Sequence, residues 1–441
     1  MSPVPQYVDT LIHPGWIVPV IPEGDVLTGF SIALLDNKIV AILPTEEAGR
    51  INARHTHTLP EHILLPGLIN AHGHAAMSLF RGYADDLPLT PWLEKHIWPA
   101  EAKHMSEEFV RDGVELAIAE MLRCGTTSFT DMYFFPNITA DVAQQMGMRC
   151  QIAFPVLDFP TRWAQDGDEY ISKGLSLRDD LKHSELVCVV FGPHAPYTVS
   201  EGNLTKVATL AAELDVGVHI HLHETAGEVL QAVECNGERP IDTLQRLGLL
   251  GPKTQCVHMT DVGEQDLATL KATGTHVIHC PTSNMKLASG SCPTNKLLSH
   301  KVNVALGTDS AASNNKLNLF SEMRTAALLA KLQTGDASAV SAQQALSMAT
   351  INGARAQGLE NYQGSLEVGK LADLIAVDMS GPETAPLHNP ISQLVYACDG
   401  SQVTHSWING RLVLENRELN NIDLTQIMHK AQTWQHRIGS C

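Results

Sequence analysis

Eight short apolar runs, separated by longer amphipathic segments, constrain the middle of this chain more than any other feature. They span 63–69, 126–130, 149–156, 187–191, 216–220, 254–257, 275–278 and 303–306. Apolar runs of strand length, lacking a polar alternation, read as strands buried on both faces. Parallel strands need long crossovers, which helices usually supply, so this alternation predicts a parallel sheet with covering helices. Eight such units are the number that closes a (β/α)8 barrel. Between the first two runs, Ser106 is placed to cap a helix, Glu107 and Glu108 suit its first turn, and Gly125 follows its end. The segments 201–214, 262–272 and 317–332 read as further helices.

Both ends of the chain have a different character. Runs at 7–12, 17–20 and 30–35 precede the turn chemistry of Asp36-Asn37-Lys38, and a further run follows at 39–42. Strand-like runs return at 372–378 and 405–413, the latter interrupted by Asn409-Gly410, a strong hairpin signal. The fold expected is α/β. Residues 63–362 form a distorted (β/α)8 TIM barrel, and residues 1–62 and 363–441 combine into one flanking β-sandwich closed by a helix near 424–437.

A chain of 441 residues, 44% hydrophobic, can bury a large core. Its formal net charge of −18, with no Lys/Arg block, argues against binding nucleic-acid backbones or anionic membranes. Nine scattered cysteines without a CxxC pair read as reduced thiols. There is neither a basic segment leading into an apolar stretch at the start nor an apolar run long enough to span a bilayer. The expectation is a soluble, cytoplasmic protein.

The ends of the eight runs carry the chemistry. After them come His72 and His74, Asp131, Asp158, His194, His221 and His223, His258, His279 and Asp309. In a barrel all of these face the C-terminal mouth. His72-Gly73-His74 places two imidazoles on the same side of an extended segment. His219-Ile220-His221-Leu222-His223-Glu224 puts three histidines on one strand face, of which His219, the deepest, also suits a core position. A lone His258 fits the core as well as a site, and Asp309 alone could cap a following helix. Together, imidazoles and a carboxylate suit a divalent metal such as zinc. A metal-activated water beside Glu224, a carboxylate able to carry protons, is the apparatus of hydrolysis. The PCxxC pair required by zinc deaminases of the cytidine type is absent.

Four segments taken together resemble the amidohydrolase superfamily, and within it the aminohydrolase and chlorohydrolase branch. They are Pro66-Gly67-Leu68-Ile69-Asn70-Ala71-His72-Gly73-His74, His219 to Glu224, Gly307-Thr308-Asp309 and Leu366-Glu367-Val368-Gly369-Lys370-Leu371-Ala372-Asp373-Leu374. The resemblance covers nearly the whole chain and implies the same barrel and flanking sandwich. Many binuclear members carry a carboxylated lysine at the end of strand four. The corresponding Val187-Cys188-Val189-Val190-Phe191-Gly192-Pro193-His194 contains no lysine. The implied centre is therefore one Zn2+ per subunit, with Fe2+ or Mn2+ as alternatives, held by His72, His74, His221 and Asp309. The implied catalytic groups are Glu224 as proton shuttle, Asp309 as proton acceptor and His258, which orients the water.

Trp92-Leu93 and Ile97-Trp98-Pro99-Ala100-Glu101 are similar to the pattern in deaminases of adenine nucleosides. That likeness implies hydrolytic deamination of 5′-methylthioadenosine or S-adenosylhomocysteine to the inosine analogue and ammonia. Glu101 would bind the ribose hydroxyls, and His194 and Glu224 would contact the substrate. Arg162 is the nearest candidate for the substrate tail, and Trp92, with Met77 and Phe80, for its apolar wall. The alternative is another aminohydrolase, or a triazine chlorohydrolase, acting on guanine, a cytosine-like base or an s-triazine at the same mononuclear site. The resemblance also implies a homo-oligomer, a dimer or tetramer.

Overall fold

The computed structural model describes residues 6–439. The apolar runs form eight parallel strands that follow one another around a single sheet. They are β1 (Leu68–Gly73), β2 (Thr126–Asp131), β3 (Arg149–Val156), β4 (Val187–Pro193), β5 (Val218–Leu222), β6 (Thr254–His258), β7 (His276–His279) and β8 (Val304–Leu306). Every strand except β4 is buried along its whole length, as near-continuous apolar runs require.

The first and last strands are joined by side chains as well as backbone. Asp309 N–H donates to His72 O at 3.1 Å. The Asn70 amide completes the seam: its Oδ1 accepts from Thr308 N–H at 2.9 Å, and its Nδ2 donates to Thr308 Oγ1 at 2.8 Å. A Cβ on Gly307 would lie 2.8 Å from His72 Cβ, so only glycine lets the two strands approach this closely.

The first expected run, 63–69, divides at Gly67. Residues up to Pro66 belong to the long strand Asn52–Pro66 of the outer sheet, and the barrel begins at Leu68. A Cβ on Gly67 would stand 2.0 Å from Thr127 Oγ1, so the chain passes from one sheet to the other at a residue without a side chain. A continuous apolar run conceals this change because both neighbouring environments are buried.

The two chain ends build one mixed sheet of nine strands. Asn52–Pro66 is its spine, pairing parallel with Tyr7–Ile17 and antiparallel with Leu374–Asp378. The expected antiparallel unit is thus interrupted by a parallel pair. The polar first half of the spine, Arg54-His55-Thr56-His57, hides that strand from a reading by hydrophobicity. The hairpin turns at Asp36-Asn37 and Asn409-Gly410 meet, with a Gly410 Cβ position only 2.1 Å from Asp36 O. Gly410 also has a φ of +76°, as the two-residue hairpin turn demands. The sheet thereby closes over a core that includes Ile12, Ile32, Leu34, Leu64, Leu374 and Trp407.

The helices form where caps and periodicity place them. Ser106 Oγ accepts from Phe109 N–H at 3.1 Å at the start of Glu107–Arg123. The others occupy Glu201–Leu214, Glu264–Thr273 and Leu319–Thr334. The last helix, Leu424–Gly439, packs on Glu107–Arg123, where Trp434 Nε1–H donates to Asp112 Oδ2 at 2.8 Å. Among the described residues no helix is long and apolar enough to cross a membrane.

A buried ion pair ties the barrel to the outer sheet. Arg149, at the start of β3, donates through Nε and Nη2 to the two oxygens of Asp373 at 2.7 and 3.2 Å. Asp373 also accepts Asn409 N–H at 2.6 Å. Removing one partner of a buried pair strands the other charge, at about 3–5 kcal/mol. Asp373→Ala should therefore lower the denaturant midpoint by an amount worth about 3–5 kcal/mol at unchanged slope, whereas Arg149→Met/Asp373→Ala should recover much of the loss. A fall of less than about 1 kcal/mol in the single variant would show that the pair is not a clamp.

Candidate active site

The C-terminal ends of the barrel strands bring His72, His74, His194, His221, Glu224, His258 and Asp309 around one cavity of about 640 Å3. His72 lies directly behind the lining residues, and the others lie on the cavity wall. Asp309 Oδ1 is 3.6 Å from His72 Nε2 and 3.3 Å from His74 Nε2. Donor atoms of His72, His74 and Asp309 fall within 4.8 Å of one another, as do those of His72, His221 and His258.

The outer nitrogen of each imidazole is already committed. His74 Nδ1–H donates to Met132 O at 2.5 Å, and His221 Nδ1–H to His194 O at 2.8 Å. His72 Nδ1 faces His219 Nε2 at 2.8 Å. The Nε2 lone pairs are left for the centre. Burial holds His72 and His221 well below the ordinary imidazole range, so both are neutral. His72 Nε2 is buried without any hydrogen-bond partner. Such an orphaned acceptor is costly unless something occupies the space it faces.

Asp309 behaves in the opposite way. Burial opposes its ionised form, but the polar groups around it hold the carboxyl well below the usual range. Its Oδ2 accepts Ser283 Oγ–H at 2.5 Å and Ser313 Oγ–H at 3.0 Å, and its Oδ1 accepts Ser310 N–H at 2.7 Å. Two overlapping groups that share His72, one with His74 and Asp309 and the other with His221 and His258, offer imidazoles and an ionised carboxylate suited to a zinc-like divalent ion.

Three of the same strand ends carry left-handed backbone. His223, His258 and Asp309 have φ of +52°, +78° and +59°. Left-handed conformations cost non-glycine residues about 1–3 kcal/mol each and persist where surrounding bonds fix them. Here Met259 N–H donates to Leu222 O and Asp309 N–H to His72 O, both at 3.1 Å.

Glu224 lies on the other side of the cavity, with its Oε2 3.8 Å from His258 Nε2. Burial, and next the nearby Asp309 charge, push its carboxyl up to about 8. It therefore carries a proton at neutral pH. Its backbone N–H and that of His223 donate to Glu228 at 2.7 and 3.1 Å, which fixes the turn that presents Glu224. Asn284 Nδ2 lies 3.0 Å from His258 Nδ1. With that nitrogen accepting, His258 turns Nε2–H toward the cavity.

One wall of the cavity is built by the helical segment running from Leu89 to His104, which contains a wider π turn at Leu93–Ile97. Such insertions re-aim side chains and recur at functional sites. Trp92 and Glu101 from this segment both line the cavity, together with Met77, Arg162 and His194. Tyr133 O–H donates to Glu101 Oε1 at 2.6 Å. Burial raises the Glu101 carboxyl to about 7, against the lowering effect of that bond. Thr198 Oγ–H donates to Ala195 O at 3.1 Å and so accepts His194 Nδ1–H at 2.9 Å, which turns His194 Nε2 into the cavity. Arg162 uses Nη2 to bind the carbonyls of Ala102 and Lys103 at 3.1 and 3.3 Å, holding the end of the helix that carries Glu101.

Other strand-end groups have different positions. Phe80 is fully buried and packs on Phe109 at 4.9 Å between ring centroids rather than forming cavity wall. His223 is spent on Asp261 O and Ile241 N–H. Asp131 accepts Ala75 N–H at 2.6 Å and steadies the loop after His74. Asp158 accepts Ser200 N–H at 2.6 Å, and His279 is buried and does not line the cavity. Tyr133, Glu228 and Gln255 escaped the sequence reading. Only Glu228 carries a recognisable signal, because Thr225-Ala226-Gly227-Glu228 has the spacing of a capping box.

Residues 63–413 match the model of the amidohydrolase family. A 5-methylthioadenosine/S-adenosylhomocysteine deaminase of Teredinibacter turnerae is 50% identical over 434 residues, covering 98% of each chain. A 5′-deoxyadenosine deaminase of Methanosarcina mazei is 40% identical, covering 96% of this chain and 97% of its own. The crystal structure of an adenosine deaminase from Xanthomonas campestris with bound zinc matches with a TM-score of 0.98 at 47% identity, over 99% of this chain and 100% of that one. A barrel seamed at Asn70, with histidines and an aspartate at its mouth, thus coincides with a family match over most of the sequence: the chain belongs to the amidohydrolase family.

Proposed function

We propose that this chain is a zinc-dependent aminohydrolase that converts 5′-methylthioadenosine or S-adenosylhomocysteine to the corresponding inosine and ammonia. The observation that carries this reading is a single cavity holding three kinds of surface. It has the His74, His221 and Asp309 donors with His72 behind them, the buried acid Glu224, and the Glu101–Tyr133 pair among apolar residues such as Trp92, Leu93 and Ile97. An adenine amidine, a ribose diol and a thioether tail present chemistry that matches these surfaces. The names of the relatives support the same substrate class.

His72, His74, His221 and Asp309 would hold the zinc. When bound, the ion lowers the pKa of its water to about 7, which supplies a nucleophile at neutral pH. Glu224 places its proton on N1 of the adenine ring, and C6 becomes electrophilic. Asp309, ionised, takes one proton from the attacking water, and His258 Nε2–H steadies the attacking oxygen. Asp309 then returns its proton to the departing amino group. The new hydroxyl gives its proton to Glu224 as the C–N bond breaks, leaving a 6-oxo purine and ammonia. Glu101 accepts hydrogen bonds from the ribose hydroxyls, and Trp92 and Met77 face the tail. Arg162 holds Glu101's helix and lines the cavity, where it would meet the tail.

Glu224→Gln should keep wild-type zinc content and lose about 10²–10⁴-fold in turnover, the usual contribution of a positioned acid or base. His72→Ala supplies the metal-deficient control. It is needed because His57, His405 and Glu415 in the outer sheet also bring donor atoms within 4.8 Å of one another. Near-wild-type turnover in zinc-replete Glu224→Gln would remove that residue from the chemistry.

A carboxylate that binds a diol makes charge-assisted hydrogen bonds worth about 1.5–3 kcal/mol. Glu101→Gln should lower kcat/KM for 5′-methylthioadenosine by about 10–100-fold while leaving zinc content unchanged. Unchanged kcat/KM would contradict recognition of ribose at this position.

A further inference from the structure

A chain of hydrogen bonds runs from Ala356, at the end of the helix Ile351–Ala356, through Gln255 and His219 into the site and fixes which nitrogen of His72 bears its proton. The backbone oxygen of Ala356 can only accept. Gln255 lies 2.7 Å from it through Nε2, and the same nitrogen is 2.9 Å from Gln151 Oε1, so both amide hydrogens are assigned. Gln255 Oε1 must then face His219 Nδ1, 2.7 Å away, as an acceptor. His219 Nδ1 therefore carries a hydrogen. His219 is fully buried, and its hydrogen-bond partners are an amide oxygen and an imidazole, so no counter-charge is there to support a second proton on the ring. Its Nε2 is thus a bare acceptor, 2.8 Å from His72 Nδ1. His72 must place its hydrogen on Nδ1, and its unprotonated Nε2 is the orphaned buried atom that faces Asp309.

We propose that His219 and Gln255 are positioning residues that hold His72 in the Nδ1–H tautomer, keeping its Nε2 lone pair committed to the metal. The proposal rests on the zinc reading above. His74 and His221 have their tautomers set by backbone carbonyls, which can act in one sense only. His72 alone among the three histidines depends on side chains for this, and its direct partner, another imidazole, could serve in either sense. Gln255 removes the ambiguity, and Ala356 O and Gln151 orient Gln255. The partner nitrogen of a metal-ligating histidine usually fixes ring orientation and basicity, and its removal typically costs 10–100-fold in affinity or activity.

The decisive comparison is His219→Phe against His219→Gln. Phenylalanine fills the space and offers no acceptor; glutamine can present Oε1 near the position of the imidazole Nε2. Zinc affinity is read by competition with a chromophoric chelator, alongside the melting temperature of the metal-free protein. His219→Phe should bind zinc about 10–100-fold more weakly, and His219→Gln should recover most of that loss. Gln255→Met, one residue further from the metal, should weaken zinc binding in the same direction, and it carries the test if His219→Phe does not fold. Wild-type zinc affinity in His219→Phe, or an equal loss in His219→Phe and His219→Gln at the same melting temperature, would overturn the relay. So would wild-type affinity in Gln255→Met. A wild-type protein that takes up no zinc would instead overturn the metal reading on which the relay rests.

Discussion

The seam between β1 and β8 is the constraint on which the rest of the site depends. His72 and Asp309 come from opposite ends of the barrel sequence, and the backbone bond from Asp309 N–H to His72 O brings their strands together. The Asn70 amide then takes the place of a regular ladder by binding both the backbone and the hydroxyl of Thr308. Gly307 makes the approach sterically feasible. The spacing of the His72 and Asp309 donor atoms is consequently a product of barrel closure. The strained left-handed backbone at Asp309 is supported by the same seam.

Burial then gives chemically similar side chains different roles. Glu224 and Asp309 are both carboxylates at one cavity. Glu224 lies with little compensation for desolvation and retains its proton to about pH 8. Asp309 accepts three hydrogen bonds, which favour its ionised form. One carboxyl group can donate where the other can accept, which is the separation a deamination needs. The histidines are kept neutral by the same desolvation, and their hydrogen-bond partners point the free lone pairs inward.

Much of the barrel and the central donor set was legible in the sequence, because strands buried on both faces leave apolar runs and chemistry collects at their ends. His72, His74, His194, His221, His258 and Asp309 all follow such runs. The division at Gly67 was not legible, since Ile63 and Leu68 are both fully buried although they belong to different sheets. The parallel pairing of Asn52–Pro66 was hidden by its polar, half-exposed first half. Tyr133 and Gln255 were missed for another reason. Their roles come from contacts with Glu101 and His219, 32 and 36 positions away in the chain, which no local spacing encodes. Phe80 was drawn toward the pocket by its sequence neighbourhood, but the short helix Ala75–Phe80 turns it into the core against Phe109.

The most direct test of the account is ammonia release, followed with the ultraviolet change at the purine ring, from a panel of 5′-methylthioadenosine, S-adenosylhomocysteine, adenosine, guanine and a chlorotriazine. The zinc-loaded protein should release ammonia from the adenine nucleosides, with 5′-methylthioadenosine or S-adenosylhomocysteine preferred. Chelation should abolish the activity and added zinc restore it. Absence of ammonia from every adenine nucleoside in a zinc-replete protein, above all with turnover of guanine or the triazine, would contradict the account.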